Sequence, residues 1–420
     1  MIPAQDTLFL SVHAREVLHF DVPLFGRVAT SIGSLSSGGI LSLCGKQDDV
    51  LPEAYQAAAI ICAADDPRLD VLKAQNRIPL IVVERDAIFS DGDVITISPR
   101  GRIHRLFRAL SRNNALLVTE DCNNLCVMCP QPPKPESAAR HAVNEQRIVQ
   151  TLDLIDDLHF PDSLCLTGGE PTMLGDGLIR IVEKIKNRAP RTLIHLLTNG
   201  RALCDTTYTQ RLACAGGDQL LAGIPLFGHV ADIHDYVVQR QGAFEQTMAG
   251  LLNCFRYGID VELRIVLQKD TVQHLTALAE FIAHNLFFVK HVALMGMENM
   301  GFARLNRDRV FIDPWDYRDE LSQAINLFAL YGVDVRVFNL PLCVVNSDTR
   351  RYCAQSISDF KNVWHPQCAR CRKREICCGF FNSTTEKFFF DSPHTSVYRM
   401  NSARGSGRYG PDPLTQASYK

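Results

Sequence analysis

From residue 116 onward the chain switches repeatedly between two hydrophobic patterns. Short, nearly continuous apolar runs at 116–119, 164–167, 192–197, 219–225, 261–267, 289–295 and 334–338 read as buried strands. Between them, 143–158, 178–186, 206–214, 243–257, 272–284 and 314–331 carry apolar residues at helical spacing. Strand and helix in steady alternation imply about six βα units around a parallel sheet that is closed or nearly closed. An ordinary eight-stranded barrel needs more units than this stretch has room for. Polar loops at 120–135, 168–174, 198–199, 227–235, 268–269 and 296–299 all follow the C-terminal ends of predicted strands, the face on which barrel active sites sit.

The flanks pattern differently. Residues 1–110 contain short apolar runs at 8–12, 41–44, 58–63, 80–83 and 94–97, a turn at 90–92 and room for a short helix at 71–75. They predict a small, mostly-β or mixed domain serving as scaffold or interface, with peptide capture as the alternative. Residues 101–113, with their Arg and Leu pattern, predict a helix feeding the first core strand. The expected domains are therefore 1–110, a barrel over 111–338, a cysteine-rich region over 339–391, and a disordered tail over 392–420, where Gly, Ser, Arg and Pro accumulate.

Charge and length narrow the function little. With 44 basic and 46 acidic side chains and a formal net charge of -2, bulk charge implies neither nucleic-acid nor membrane binding. No apolar run approaches the ~20 residues a bilayer requires, and the first residues lack a basic segment followed by a long apolar core, so a cytoplasmic protein is expected. The 15 cysteines change the picture more. Cys44, Cys62, Cys165, Cys204, Cys214 and Cys254 are scattered among apolar residues and read as small core residues. The others form two groups: Cys122, Cys126 and Cys129, then Cys343, Cys353, Cys368, Cys371, Cys377 and Cys378. Metal binding explains such grouping better than a disulfide framework in a chain of 420 residues.

The first group lies in ALLVTEDCNNLCVMCPQPPKP, residues 115–135, where a strand delivers a C-x3-C-x2-C loop. Three soft thiolates so close together point to zinc or to an iron–sulfur cluster. The next strand and turn, LCLTGGEPTML at 164–174, adds Gly168 and Gly169 for close backbone approach, the Glu170 carboxylate, and Pro171 to stiffen the turn. This pair of motifs resembles the radical S-adenosylmethionine (radical SAM) superfamily. Within it, VTEDCNNLCVMCPQPPK, LLTNG and the late stretch SISDFKN...CARCRKREICCGFF resemble the His-Xaa-Ser system radical SAM maturases, which modify ribosomally made peptides. The resemblance spans roughly residues 101–381.

The resemblance implies an α/β fold, a partial (β/α)6 TIM-type barrel. It implies a 4Fe-4S cluster on Cys122, Cys126 and Cys129 and S-adenosylmethionine at its open iron, oriented by Gly168, Gly169 and Glu170. Met128 is a candidate to cover adenine or merely to pack; Thr198 and Asn199 are candidates for ribose or carboxylate contacts, with helix capping as the alternative. Arg264 either reaches the cofactor or pairs with Glu262, and the backbone near Met297 is a candidate adenine flank. Asn123 reads as a loop cap, and His229, Asp232, His234 and Asp235 as either a substrate opening or a capped loop. Cys343, Cys368, Cys371 and Cys377 resemble the auxiliary-cluster set of a SPASM or twitch domain, with structural zinc as the competitor and the roles of Cys353 and Cys378 open. Arg370, Arg372, Lys373 and Arg374 could offset cluster charge or be a solvated basic face. The expected partners are a precursor peptide with His-Xaa-Ser repeats, an electron donor such as flavodoxin or ferredoxin, and a second radical SAM maturase. Alternatives are a radical SAM enzyme acting on a small metabolite, a protein dehydrogenase of the sulfatase-maturase type, and a non-catalytic cluster-bearing peptide binder.

Overall fold

A computed structural model of the chain describes residues 11–44, 57–75, 78–85, 87–355, 362–364, 366–381 and 383. The expected tail at 392–420 lies outside the described residues.

The strand–helix alternation builds a seven-stranded, all-parallel sheet in simple sequence order. Its strands are β9 (Asn114–Thr119), β10 (Ser163–Gly168), β11 (Leu193–Leu197), β12 (Leu220–Pro225), β13 (Asp260–Leu267), β14 (His291–Gly296) and β15 (Val335–Phe338). β9 and β15 do not pair with each other, so the barrel is open, as the partial-barrel reading expects. The connecting helices include α2 (Ala138–Leu154), α3 (Asp176–Arg188), α4 (Thr206–Gly216), α5 (Ala231–Val238), α6 (Ala243–Tyr257), α8 (Leu275–Asn285) and α11 (Arg318–Leu330). Their starts follow local chemistry: Ser137 accepts a hydrogen bond from the Arg140 amide at α2, and Asp205 accepts from the Thr207 and Tyr208 amides at α4. On α3 the apolar stripe Leu178, Ile179, Ile181, Val182 and Ile185 is at most 4 % exposed, each side chain contributing roughly 1.5–3 kcal/mol by burial.

The strands sort their residues by alternation. Leu164 and Leu166, Ile194 and Leu196, Leu263 and Ile265, and Val292 and Leu294 face the helices and form the main core. Intervening positions, such as Cys165, Leu197, Val266, Met295 and Phe338, face the hollow of the curled sheet and are only partly covered. The open edge at β15 is extended by Cys353, which bridges to Val337, while the Ala354 amide donates to the Val337 carbonyl at 2.8 Å.

The N-terminal region is a mixed eight-stranded sheet. Strands β1 (Ser11–His13) and β2 (Glu16–Leu18) lie at its opposite ends yet are separated in the chain only by Ala14 and Arg15, so the sheet closes on itself. Its interior is filled by Val28, Ile61, Ile81, Val83, Ile95 and Ile103, among others. The helix expected over 101–113 is instead strand β8 (Arg102–Phe107), antiparallel to β1 and to β7 (Val94–Ile97). Its period is two: Ile103, Arg105 and Phe107 are buried while Arg102, His104 and Leu106 are not, and antiparallel partners on both sides outweigh the helical propensity of Arg and Leu. Val94 and Phe107 join the core of the large sheet with Ile148, Leu152 and Ile155, and Arg27 pairs with Asp156 at 2.6 Å.

Among the described residues, no helix is long and apolar enough to cross a membrane. The scattered cysteines divide: Cys62 and Cys254 are buried, but Cys204 and Cys214 are exposed, contrary to the core reading. Both sit at turns or helix faces where apolar neighbours in sequence are not neighbours in space.

Candidate active site

The cysteine loop leaves the tip of β9 and the GGE loop leaves the tip of β10, and the two are joined by their backbones. The Gly169 amide donates to the Thr119 carbonyl at 2.8 Å and the Glu170 amide to the Asp121 carbonyl at 2.7 Å. A Cβ on Gly168 would lie 2.3 Å from the Thr119 oxygen, and one on Gly169 2.2 Å from the Asp121 oxygen. Only glycine allows the strands to approach so closely here.

Glu170 is completely buried. Its Oε1 accepts from the Thr172 amide at 3.0 Å, the Thr172 hydroxyl at 2.6 Å and the Thr198 hydroxyl at 2.7 Å, and its Oε2 accepts from the Asn199 amide at 2.5 Å. A carboxylate offers about four acceptor positions, so these internal donors use its capacity. The carboxylate thus ties the tips of β10 and β11 together, and an ammonium group contacting it would compete with those donors. Burial raises its pKa, opposed by the Thr172, Asn199 and Thr198 hydrogen bonds.

Thr198 and Asn199 are equally engaged. Beyond its amide contact, Asn199 donates from Nδ2 to Asn123 Oδ1 at 2.6 Å and accepts the Arg201 amide at 3.0 Å. Asn123 therefore anchors the cysteine loop to β11. Arg201, absent from the sequence reading, reaches the same loop: its Nη1 donates to the Asn123 carbonyl and to Asn124 Oδ1, both at 2.8 Å. Further along the loop, the Leu125 and Val127 amides donate to the Val238 and Val237 carbonyls, each at 3.0 Å. The Phe302 amide donates to the Cys129 carbonyl at 2.8 Å.

Met128 is 5 % exposed and packs with Val127, Phe227, Val237 and Ala303, with Met297 and Cys126 against them. Met297 thus stands beside the cysteine loop. Asn299, two residues on, has both side-chain polar atoms buried without a hydrogen-bond partner. A buried amide with donor and acceptor both unused is suited to a polar ligand group at this strand tip. Arg264 lies deeper in the barrel and pairs with Glu262, which also accepts from His291 Nε2 at 2.8 Å. Burial opposes the Glu262 charge, but His291, Arg264 and His195 outweigh it and hold the carboxyl down to about 2. The 229–235 segment, expected as a loop or substrate opening, is instead mostly the first turns of α5. Asp235 accepts from the Gly242 and Phe244 amides at 2.6 and 2.8 Å, and His234 is buried between Phe227 and Phe244.

Burial first, then nearby Glu170 and Cys129, push the Cys122 thiol up to about 11; burial and the other two sulfurs push Cys126 higher still. Burial also raises Cys129. Three such thiols are tolerable together as thiolates only against a cationic core, which is the chemistry of a bound metal cluster. The residues present fit that group.

In the second cysteine group, Cys343, Cys368, Cys371 and Cys377 line one cavity, roofed by Trp364 and Phe380 and bordered by Lys373 and Arg374. Burial, then Cys377, Cys368 and Cys371, push Cys343 up to about 12. Cys377 is instead lowered, by the adjoining Cys378 thiol and by the Gly379 and Leu342 amides, which reach its sulfur at 3.5 and 3.4 Å. Cys378 and Cys353 do not line the cavity; their thiols face the Gly379 and Thr349 carbonyls. Of the four nearby cations, Arg370, Arg372 and Arg374 are exposed to solvent and Lys373 is half-buried. Among the described residues, no three Cys, His, Asp or Glu side chains are gathered tightly enough for a single metal ion.

The profile of the radical SAM superfamily matches residues 116–282. The chain is 30 % identical over 167 residues to an Fe-coproporphyrin III synthase of Methanosarcina barkeri, covering 39 % of each chain. It is also 30 % identical over 187 residues to a pre-heme d1 synthase of Dinoroseobacter shibae, covering 43 % of this chain and 44 % of that one. The matches therefore span well under half of either relative. Among solved structures, native anSMEcpe with bound AdoMet and Cp18Cys peptide superposes with TM-score 0.45 at 15 % identity, over 64 % of this chain and 88 % of that one. Coproporphyrinogen III oxidase from Escherichia coli superposes with TM-score 0.41 at 15 % identity, over 52 % of each. With the C-x3-C-x2-C loop and the GGE loop joined at neighbouring strand tips inside the matched stretch, residues 116–282 form a radical SAM superfamily domain.

Proposed function

We propose that this chain is a radical SAM maturase of a ribosomally made peptide, with a second iron–sulfur cluster in its C-terminal region. The observation carrying this reading is the pair of cysteine sites: Cys122, Cys126 and Cys129 at one strand tip, and Cys343, Cys368, Cys371 and Cys377 around a cavity just beyond β15. When bound, a 4Fe-4S cluster with S-adenosylmethionine supplies one-electron cleavage of the sulfonium, giving a 5'-deoxyadenosyl radical able to take hydrogen from an unactivated carbon.

The chain's own residues supply the frame. Glu170, Asn199 and Arg201 hold the cysteine loop against the tips of β10 and β11, the glycines let the two loops approach closely, and Asn299 offers an unused donor and acceptor. The buried Met128, Phe227 and Val237 cluster excludes water from one flank. At the second site four thiols line one cavity, a donor set that suits an iron–sulfur core, with a structural zinc ion as the competitor. A precursor peptide with His-Xaa-Ser repeats, a flavodoxin- or ferredoxin-type reductant and a second maturase are the partners this function would require or accommodate.

A porphyrin- or heme-type small molecule is the second reading, favoured by the names of the two curated relatives. Coexpression with candidate precursor peptide, followed by mass spectrometry of that peptide, tests the first. A crosslink, dehydrogenation, epimerisation or methylation dependent on Cys126 is expected. Production of 5'-deoxyadenosine with a porphyrin and none with any peptide would replace it with the second. No 5'-deoxyadenosine with either, under a competent reductant, would overturn both.

A further inference from the structure

The hollow of the half-barrel is layered. Counting back from the tips of β10 to β15, the first inward-facing positions are Thr167, Leu197, Pro225, Val266, Met295 and Phe338. This ring is apolar apart from one threonine and lies nearest the cysteine loop; Val266 itself packs against the Met128 cluster. The next ring, about 7 Å deeper at two residues per step, holds Cys165, His195, Gly223, Arg264, Ala293 and Arg336. It places His195, Arg264 and Arg336 among the small residues Cys165, Gly223 and Ala293. Glu262 and His291 complete it from below.

This polar ring has a direction. Glu262 is only 8 % exposed and is consumed by contacts: Arg264 takes Oε1 and His291 takes Oε2, with His195 Nε2 at 3.6 Å from Oε1. The nitrogen-bearing groups stand in front of it, with side-chain exposures of 17 % for His195, 21 % for Arg264 and 20 % for His291. Arg264 spends one nitrogen on Glu262, and its guanidinium has five N–H donors. His195 Nε2 is buried without a hydrogen-bond partner. Gly223 makes the arrangement possible: a Cβ there would lie 2.7 Å from Leu197, 2.9 Å from His195 Nε2 and 3.2 Å from Arg264. The acid therefore serves to orient donors, and the donors face the hollow. A carboxylate entering the hollow would meet the charged Arg264 fork beside the His195 imidazole.

We infer that the floor of the half-barrel binds a carboxylate of the substrate, with an aliphatic stretch of that substrate spanning the apolar ring beneath the radical-generating site. This rests on the radical SAM reading for the position of the chemistry, but the binding itself needs no turnover. The carboxylate can belong to an acidic side chain of a peptide or to a small organic acid.

Calorimetric titration of the reconstituted, full-length protein with octanoate, octanol and octylammonium tests it. Octanoate is expected to bind at least tenfold more tightly than the other two, and Arg264→Gln to weaken octanoate at least tenfold. Because that variant strands Glu262, Glu262→Gln/Arg264→Gln removes both charges and is expected to show the same loss. A Phe338→Trp variant, whose emission shifts on octanoate binding, reports that the ligand lies in the hollow. Short glutamate- and glutamine-containing peptides then separate the sources: preference for the glutamate peptide over both octanoate and its glutamine twin assigns the site to a peptide. Equal octanoate affinity in wild type and both charge variants, or octylammonium binding as tightly as octanoate, would overturn the assignment while leaving the radical chemistry untouched.

Discussion

Glu170 can be replaced in two ways with different costs. In Glu170→Gln the shape is kept, but the amide presents one oxygen and one NH2. If the NH2 occupies the Oε2 position it faces the Asn199 amide, now 2.5 Å away; at Oε1 it faces the Thr172 amide at 3.0 Å. The Thr172 and Thr198 hydroxyls can rotate to accept, whereas a backbone N–H cannot, so one backbone donor is stranded in either orientation. A stranded buried donor costs about 1–3 kcal/mol, and the surviving contacts lose charge assistance, so a total of about 2–4 kcal/mol is expected. Glu170→Ala strands all four donors and leaves a cavity, and should exceed about 4 kcal/mol. Thr172→Val removes one hydroxyl donor only and should cost about 1 kcal/mol. Urea unfolding of the three variants, followed by a probe of the large sheet, reads the order directly. Iron and sulfide bound per chain should fall in the same order, because the Asn199–Asn123 link to the cysteine loop depends on the same strand tip. A Glu170→Gln protein within 0.5 kcal/mol of wild type would refute the view that this carboxylate is saturated by the fold.

Other outcomes follow from the same geometry. His195 and His234 are held from 6.5 down to about 4, in both cases chiefly by burial, so the folded chain refuses a proton that the unfolded chain accepts. Their stabilisation is complete above pH 6.5 and is lost as pH falls towards 4, amounting to roughly 3 kcal/mol each; unfolding free energies that stay level between pH 7.5 and 4.5 would contradict this. Gly169→Ala forces a methyl against the Asp121 carbonyl and should lower iron incorporation severalfold in metal analysis, with wild-type incorporation as the contrary result. Arg201→Ala removes two contacts to the cysteine loop and should speed iron loss to a chelator severalfold, measured by the decay of cluster absorbance. In a Cys122/Cys126/Cys129 triple alanine variant, iron with inorganic sulfide should persist at the second site; zinc alone there would rule out a second cluster.

The barrel strands were legible because a parallel strand covered by helices needs an apolar residue at every second position, and the connecting helices need a stripe. β8 was not: in RIHRLF the inward arginine at 105 breaks the alternation, and only the neighbouring strands reveal it as buried. The site divides similarly. The three cysteines and the GGE loop are contiguous in sequence, so their chemistry is readable there. The saturation of Glu170 depends on Thr198 and Asn199, 28 and 29 residues away. Arg201 gives no signal until β11 is laid beside β9's loop, 77 and 78 residues earlier. Asn299 looks like any loop asparagine until its surroundings deny it a partner. The Glu262–Arg264 pair was one of two sequence-level outcomes; neighbouring His195 and His291 on other strands tie it into the barrel floor.

The cysteine loop is clasped by segments made much later. Val237 and Val238 hold its middle; Asn306 Nδ2 donates to the Val127 carbonyl at 2.8 Å across a separation of 179 residues. Gly301, at φ 54°, brings its backbone so close to the loop that a Cβ would lie 2.5 Å from the Pro130 oxygen and 2.6 Å from that of Cys129. During synthesis, then, the three cysteines emerge long before the residues that fix their spacing. Until the sixth strand and the turn beyond it have left the ribosome, Cys122, Cys126 and Cys129 are three solvated thiols on a tethered loop. A cluster offered early in chain growth is therefore expected to meet no preformed site, and one offered after residue 306 a loop whose clasp is already in place.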